Sequence, residues 1–237
     1  KGKTVESFAQ AAGIELEGHF ALYGIGLAPV ARLALNDPKA FDAFVANLEN
    51  AYGQRLEVRQ EGQQSYRMHS FTSSGTQLVI ATEGKQAVLA LLPVDAAKPL
   101  LRRALGLDRP AKSVQGTDRL TDLAKAKGYQ KYLIGQVDMM RLLPLLLGAD
   151  DPLLHAVHVA HAEATQAKTG EPVANQLHTG PTCVAEATRI AARVPAASFG
   201  YTTLTATRQD ARLDIALAAD ISKAFAGLQV ALPGLGG

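Results

Sequence analysis

The fold is decided by residues 55–92, RLEVRQEGQQSYRMHSFTSSGTQLVIATEGKQAVLALL. Strand-like segments at 56–60, 65–71, 77–82 and 87–92 are separated by Glu61-Gly62-Gln63-Gln64, Ser73-Ser74-Gly75 and Glu83-Gly84-Lys85, each with the glycine that a tight turn needs. The reading is an antiparallel meander. Upstream, residues 19–25 and 30–35 alternate and are joined by Gly26-Leu27-Ala28-Pro29, which predicts a hairpin. Asn36-Asp37-Pro38 then starts a helix: Asn36 or Asp37 caps it, Pro38 takes the first turn, and Phe41, Phe44, Val45 and Leu48 form its apolar stripe up to Gly53. A first helix spans 4–12 and stops at Gly13.

Downstream, helices are expected at 95–105 and 118–127, closed by Gly106 and Gly128. A short strand at 132–137 leads into helical segments at 139–147 and 153–168, broken at Asp150-Asp151-Pro152, and a further helix at 182–193. The chain closes with a hairpin, 198–205 and 212–218, and a helix from Asp220 to about Leu228. Both ends therefore run hairpin, acidic residue, then a helix with Lys-Ala-Phe (Lys39-Ala40-Phe41 and Lys223-Ala224-Phe225), the pattern of two related units or a chance match in an Ala-rich chain. The predicted class is α+β, antiparallel meanders and hairpins packed against helices, with about half of the residues helical on this reading. The expected organisation is a hairpin-helix-meander unit over 1–110 and a helix-rich unit over 111–237, or one contiguous domain, with any boundary near 108–117.

Composition narrows the function by exclusion. The chain has 237 residues, 24 Lys+Arg against 22 Asp+Glu, a formal net charge of +2, 47% hydrophobic and 19% charged residues. That describes a foldable globular chain rather than a disordered one, and a charge too balanced for a nucleic-acid binder. One cysteine allows no internal disulfide. The longest apolar run, 142–147, falls well short of the roughly 20 residues of a membrane span and contains Pro144. Lys1 in place of Met and the Pro/Gly-rich end, 232–237, read as a piece of a longer protein.

Local chemistry is sparse. His155, His158 and His161 recur at steps of three with Glu163 beyond, so two imidazoles would lie near each other on a helix. The usual metal pair is spaced by four with a Glu between, and no metal site is predicted. Gly24-Ile25-Gly26 lacks the third glycine and the following helix of a dinucleotide loop, and is read as hairpin punctuation. Asp118 and Asp122, beside Arg119, Lys125 and Lys127, read as surface pairs; Lys125, Lys127, Tyr129, Lys131 and Tyr132 read as a solvated helix end. Cys183 sits in an expected first helical turn five residues after His178 and is read as a small buried residue. The leucines between Leu142 and Leu154 are read as core, with a lipid-lined pocket as the alternative.

His19–Leu33, the strand at 87–93 with Leu105-Gly106-Leu107-Asp108-Arg109-Pro110-Ala111-Lys112-Ser113 after it, and Val194 to Tyr201 resemble uncharacterised predicted lipoproteins of Gram-negative bacteria. The resemblance covers most of the chain as a middle portion and implies a periplasmic, cell-envelope location with a lipid anchor in a preceding part. It carries no activity. The expectation is a non-catalytic protein working through binding or scaffolding surfaces, without cofactor, metal or nucleic acid, whose partner is an envelope protein. The alternative is a carrier of an apolar ligand in a Leu-lined cavity. No catalytic residue is assigned, because no local motif brings a nucleophile, a base and an electrophilic stabiliser together.

Overall fold

The structure, a computed structural model, describes residues 4–110, 117–148, 150–170 and 180–231, side chains of 227–231 excepted. With 43% helix and 32% strand, it is an α+β protein of antiparallel sheets packed with helices. The chain divides into two compact units: residues 1–110 with 150–176, and residues 111–149 with 177–237. The segment 150–176 thus groups with the first unit and not, as the sequence reading had it, with 111–237.

The first unit is built on a six-stranded sheet: β1 (Phe20–Ile25), β2 (Ala28–Ala34), β3 (Glu57–Glu61), β4 (Gln64–Phe71), β5 (Thr76–Glu83) and β6 (Gln86–Pro93). The order is β1-β2-β6-β5-β4-β3, antiparallel throughout, so the meander joins the first hairpin through β6 against β2. The first hairpin turns on Gly26-Leu27 alone, and Pro29, expected in the turn, lies in β2 opposite Gly24. The missing N–H of Pro29 costs nothing there, because the ladder to β6 starts at Val30.

Helices pack on both sheet faces. Helix α1 (Val5–Ala11) and helix α2 (Pro38–Tyr52) lie in the first 52 residues, and Phe41 and Val45 of α2 pack with Leu33, Leu35, Ala87 and Leu89 on one face. Asp37 is the cap: its Oδ1 accepts from Lys39 N at 2.9 Å and Ala40 N at 3.1 Å. On the other face Val30, Met68, Val79, Val88 and Leu92 pack with Leu105 of α3 (Lys98–Leu105) and Leu153 of α6 (Pro152–Thr169). Leu35, Leu92 and Leu105 are fully buried, each contributing about 1.5–3 kcal/mol by removal from water.

Helix α6 docks here for two local reasons. Gly75, at φ +62°, ends a single 3₁₀ turn (Thr72–Ser74) and carries no Cβ, where one would stand 2.5 Å from the Ala156 carbonyl oxygen. Asp151, almost completely buried, caps α6 by accepting from Leu153 N at 3.0 Å and Leu154 N at 3.2 Å through Oδ1. Its Oδ2 accepts from Leu27 N at 2.9 Å, tying the helix start to the β1–β2 turn.

The second unit has a three-stranded antiparallel sheet, β7 (Ile134–Asp138), β8 (Ala196–Leu204) and β9 (Gln209–Ala216), in the order β7-β8-β9. Its helices are α4 (Arg119–Lys127), α5 (Met139–Leu147), α7 (Pro181–Arg193) and α8 (Ala219–Ala231). Helix α5, with Pro144 inside it, packs against α7, whose Ala187 and Ala191 are buried. The two hairpins sit differently in their sheets. In the first, the second strand joins the rest of the sheet; in the last, the first strand does, through β7, and β9 is left at the edge.

Candidate functional site

The densest polar cluster of the second unit forms around Asp214. Gly128, at φ +71°, closes α4 and turns the chain so that Tyr129 is buried against β8 and β9. Ser198 and Asp214 are cross-strand partners, and Gly200 leaves room for the phenol ring, since a Cβ there would be 2.6 Å from Tyr129 Cγ. The Tyr129 hydroxyl donates to Asp214 Oδ2 at 2.5 Å and lies 3.2 Å from Ser198 Oγ. Arg212 Nε donates to the same Oδ2 at 2.8 Å, Lys127 Nζ reaches Oδ1 at 3.4 Å, and the Arg212 guanidinium carbon lies 5.7 Å from the Tyr129 ring centroid. The hydrogen bonds from Arg212, then Tyr129 and Lys127, outweigh desolvation and hold the Asp214 carboxyl down at about 2. A carboxylate so engaged on both oxygens is poorly placed to act as a base and well placed to clamp α4 to the sheet.

A pH dependence follows. The folded-state value of Asp214 lies below its ordinary value of 3.8, so its stabilising contribution is complete above that value and is lost as pH falls through about 2. Thermal melts of Asp214→Asn are expected to show a smaller drop in Tm between pH 4 and pH 2 than the parent, from a lower starting point at neutral pH. Equal slopes would show that the clamp does not govern acid unfolding.

Lys127 and Tyr129, grouped in the sequence reading with a solvated helix end, belong to this clamp. Lys131 lies over the Tyr132 ring at 5.6 Å instead, and Asp118 and Asp122 are exposed at the start of α4. No local sequence signal announces the cluster, because Lys127 and Asp214 are far apart in the chain and meet only through sheet register.

The other residues singled out by sequence are dispersed. Cys183, expected to be buried, is exposed on the first turn of α7, although it shares a helix face with the buried Ala187 and Ala191, four and eight residues on; His178 lies outside the described residues. On α6, His155 and His161 are exposed and His158 is half-buried. Among the described residues no group of three or more His, Cys, Asp or Glu side chains is arranged to hold a metal ion. Gly24-Ile25-Gly26 runs from β1 into its turn. The leucine tract is divided: Leu142–Leu147 belong to α5 in the second unit, and Leu153 to the core of the first. By length and composition Met139–Thr169 is one stretch apolar enough to cross a membrane, yet it consists of α5 and α6, with Gly148 ending the first and buried Asp151 starting the second.

A shallow open depression of about 410 Å³ lies on α7 beside Arg189, Ile190, Ala192 and Arg193. Its two guanidinium groups are engaged, Arg189 with Glu186 at 2.7 Å and Arg193 with Asp220 at 3.0 Å. Large apolar side chains stand open to solvent on both sheets, Val58 of β3 and Phe71 of β4 among them. On β8 and β9, Phe199 faces Leu213 across the strands, with Ile215 next on the same face; Leu213 is 63% and Ile215 55% exposed. On β1, Phe20 is 58% and Leu22 66% exposed. The chain matches no protein-family model, no curated protein and no solved structure.

Proposed function

We propose that this is a non-catalytic protein of the bacterial cell envelope, held on the periplasmic side and working through binding or scaffolding surfaces. The observation that carries the reading is the open apolar area on the two sheets, Phe20 and Leu22 in one and Phe199, Leu213 and Ile215 in the other. Contiguous apolar surface is costly in water, and proteins keep it where another surface covers it. Two polar clusters are engaged internally: Asp214, Arg212 and Lys127 with one another, and Arg102 with Asp108 and Glu61, Arg102 forking onto Asp108 at 2.8–2.9 Å and reaching Glu61 at 3.0 Å. The location rests on the resemblance to predicted lipoproteins.

Two measurements on the protein in its own cells test the reading. Protease added to spheroplasts is expected to degrade it while leaving cytosolic markers intact, and protection from protease would refute the location. Native mass spectrometry of the purified protein is expected to give masses that are multiples of the polypeptide or sums with another polypeptide. A stoichiometric apolar small molecule retained in the spectrum would replace the surface reading with that of a carrier.

A further inference from the structure

We infer that β1 is a self-pairing edge: two copies of this protein join antiparallel along it, about a two-fold axis through Leu22, into one continuous sheet. Three observations carry this. First, β1 ends the sheet, and among the described residues no backbone group pairs with its outer side. In the β1–β2 ladder the His19 carbonyl accepts from Ala34 N at 3.1 Å, so by the alternation of antiparallel pairs Ala21, Tyr23 and Ile25 bond to β2. Phe20, Leu22 and Gly24 consequently direct their N–H and C=O groups outward. Their side chains share the sheet face of Leu33 and Ala31, where Phe20 and Leu22 are open to solvent.

Second, β1 is the edge without charge. Strand edges are normally guarded by charged residues that oppose pairing. A two-fold pairing of β3 about Arg59 would set Arg59 against itself and Glu57 against Glu61; the same operation on β9 about Arg212 would set Asp210 against Asp214. Like charges directly opposite destabilise a ladder. Edge strand β7 carries Asp138. Phe20-Ala21-Leu22-Tyr23-Gly24-Ile25 carries none, so nothing in it repels its own copy.

Third, the two-fold register is sterically complementary. Centred on Leu22, it places Phe20 opposite Gly24 of the second copy and Ala21 opposite Tyr23, a large residue against a small one each time. The chain already contains such a pair: Phe199 lies opposite Gly135, its ring over the position a Cβ would take. Apart from the Gly26 carbonyl, nothing lies within 4 Å of a Cβ position at Gly24.

This deepens the surface reading, and its test is separable from the test of location: a monomer would remove the β1 pairing and leave the protease result unchanged. Sedimentation of the purified chain at submillimolar concentration is expected to approach twice its mass of 25.0 kDa. Leu22→Pro removes an outward N–H and spares the bonds to β2, so it is expected to give a folded monomer by circular dichroism. Leu22→Lys, which places like charges on the axis, is expected to do the same and covers any folding failure of the proline variant. In a Cys183→Ser background, Leu22→Cys is expected to form a disulfide-linked dimer on mild oxidation. Phe20→Cys is expected not to, since residues four positions apart along paired strands lie about 13 Å from each other. A chain that stays monomeric, leaving β1 to some other strand, overturns the inference. So does a dimer that persists in both Leu22 variants, or one that links through Phe20→Cys and not Leu22→Cys.

Discussion

Gly75→Ala is expected to lower the unfolding free energy of the first unit by about 3–4 kcal/mol, among the larger losses a single methyl group produces. Two costs add. An alanine at φ +62° sits in the left-handed region, at about 1–2 kcal/mol for any L side chain. The new Cβ would also stand 2.5 Å from the Ala156 carbonyl oxygen and 3.2 Å from Ala160 Cβ, so α6 has to lift or the turn has to open. Gly53→Ala separates the two costs: its φ is +65° but nothing lies within 4 Å of its Cβ position, so its loss should be confined to about 1–2 kcal/mol. Urea unfolding of the two variants reads the difference directly. Equal midpoints would mean that α6 yields without cost and does not form part of the cooperative core.

Asp151→Ala is expected to cost about 3 kcal/mol. Loss of the N-cap accounts for about 1 kcal/mol, and loss of the charged acceptor for Leu27 N, in an almost fully buried site, for about 1.5–3 kcal/mol. Asp151→Asn keeps one carbonyl oxygen, which can serve the helix or the hairpin turn but not both with charge, and is expected to lose about half as much. Amide exchange at Leu27 should rise in both variants. Protection at Leu27 that survives Asp151→Ala would show that the turn holds without the carboxylate.

The strands and most helix starts were legible because their causes are local. Glycine at 62, 75 and 84 punctuates the meander, Asp37-Pro38 starts α2, and Gly53, Gly106 and Gly128 adopt the left-handed conformation that ends their helices. What stayed hidden depends on residues distant in sequence. The pairing of β2 with β6 skips α2 and the strands β3, β4 and β5, and it makes β1 an edge. The apolar, uncharged character of Phe20–Ile25 is plain in the sequence, yet a central strand would look the same. Asp151 was visible as part of a helix break but not as the acceptor for Leu27 N, and the pairing of Lys127 and Tyr129 with Asp214 emerges only when α4 meets β9. The exposure of Cys183 was not legible, because frequent burial of free cysteine is a property of the residue type, whereas Cys183 sits in the first turn of α7, ahead of the buried Ala187 and Ala191.

The first unit closes over an interruption: its sheet is complete by Pro93, but α6, which covers part of one face, follows only after residues 111–149. During synthesis at roughly 5–20 residues per second, the apolar surface around Leu92 and Val79 waits several seconds for its cover. A nascent chain of this design is a client for holding factors during that interval, and a fragment cut at residue 110 carries the same bare surface permanently. Soluble expression of the first unit therefore calls for a fragment that runs through α6, with 111–149 kept or replaced by a linker.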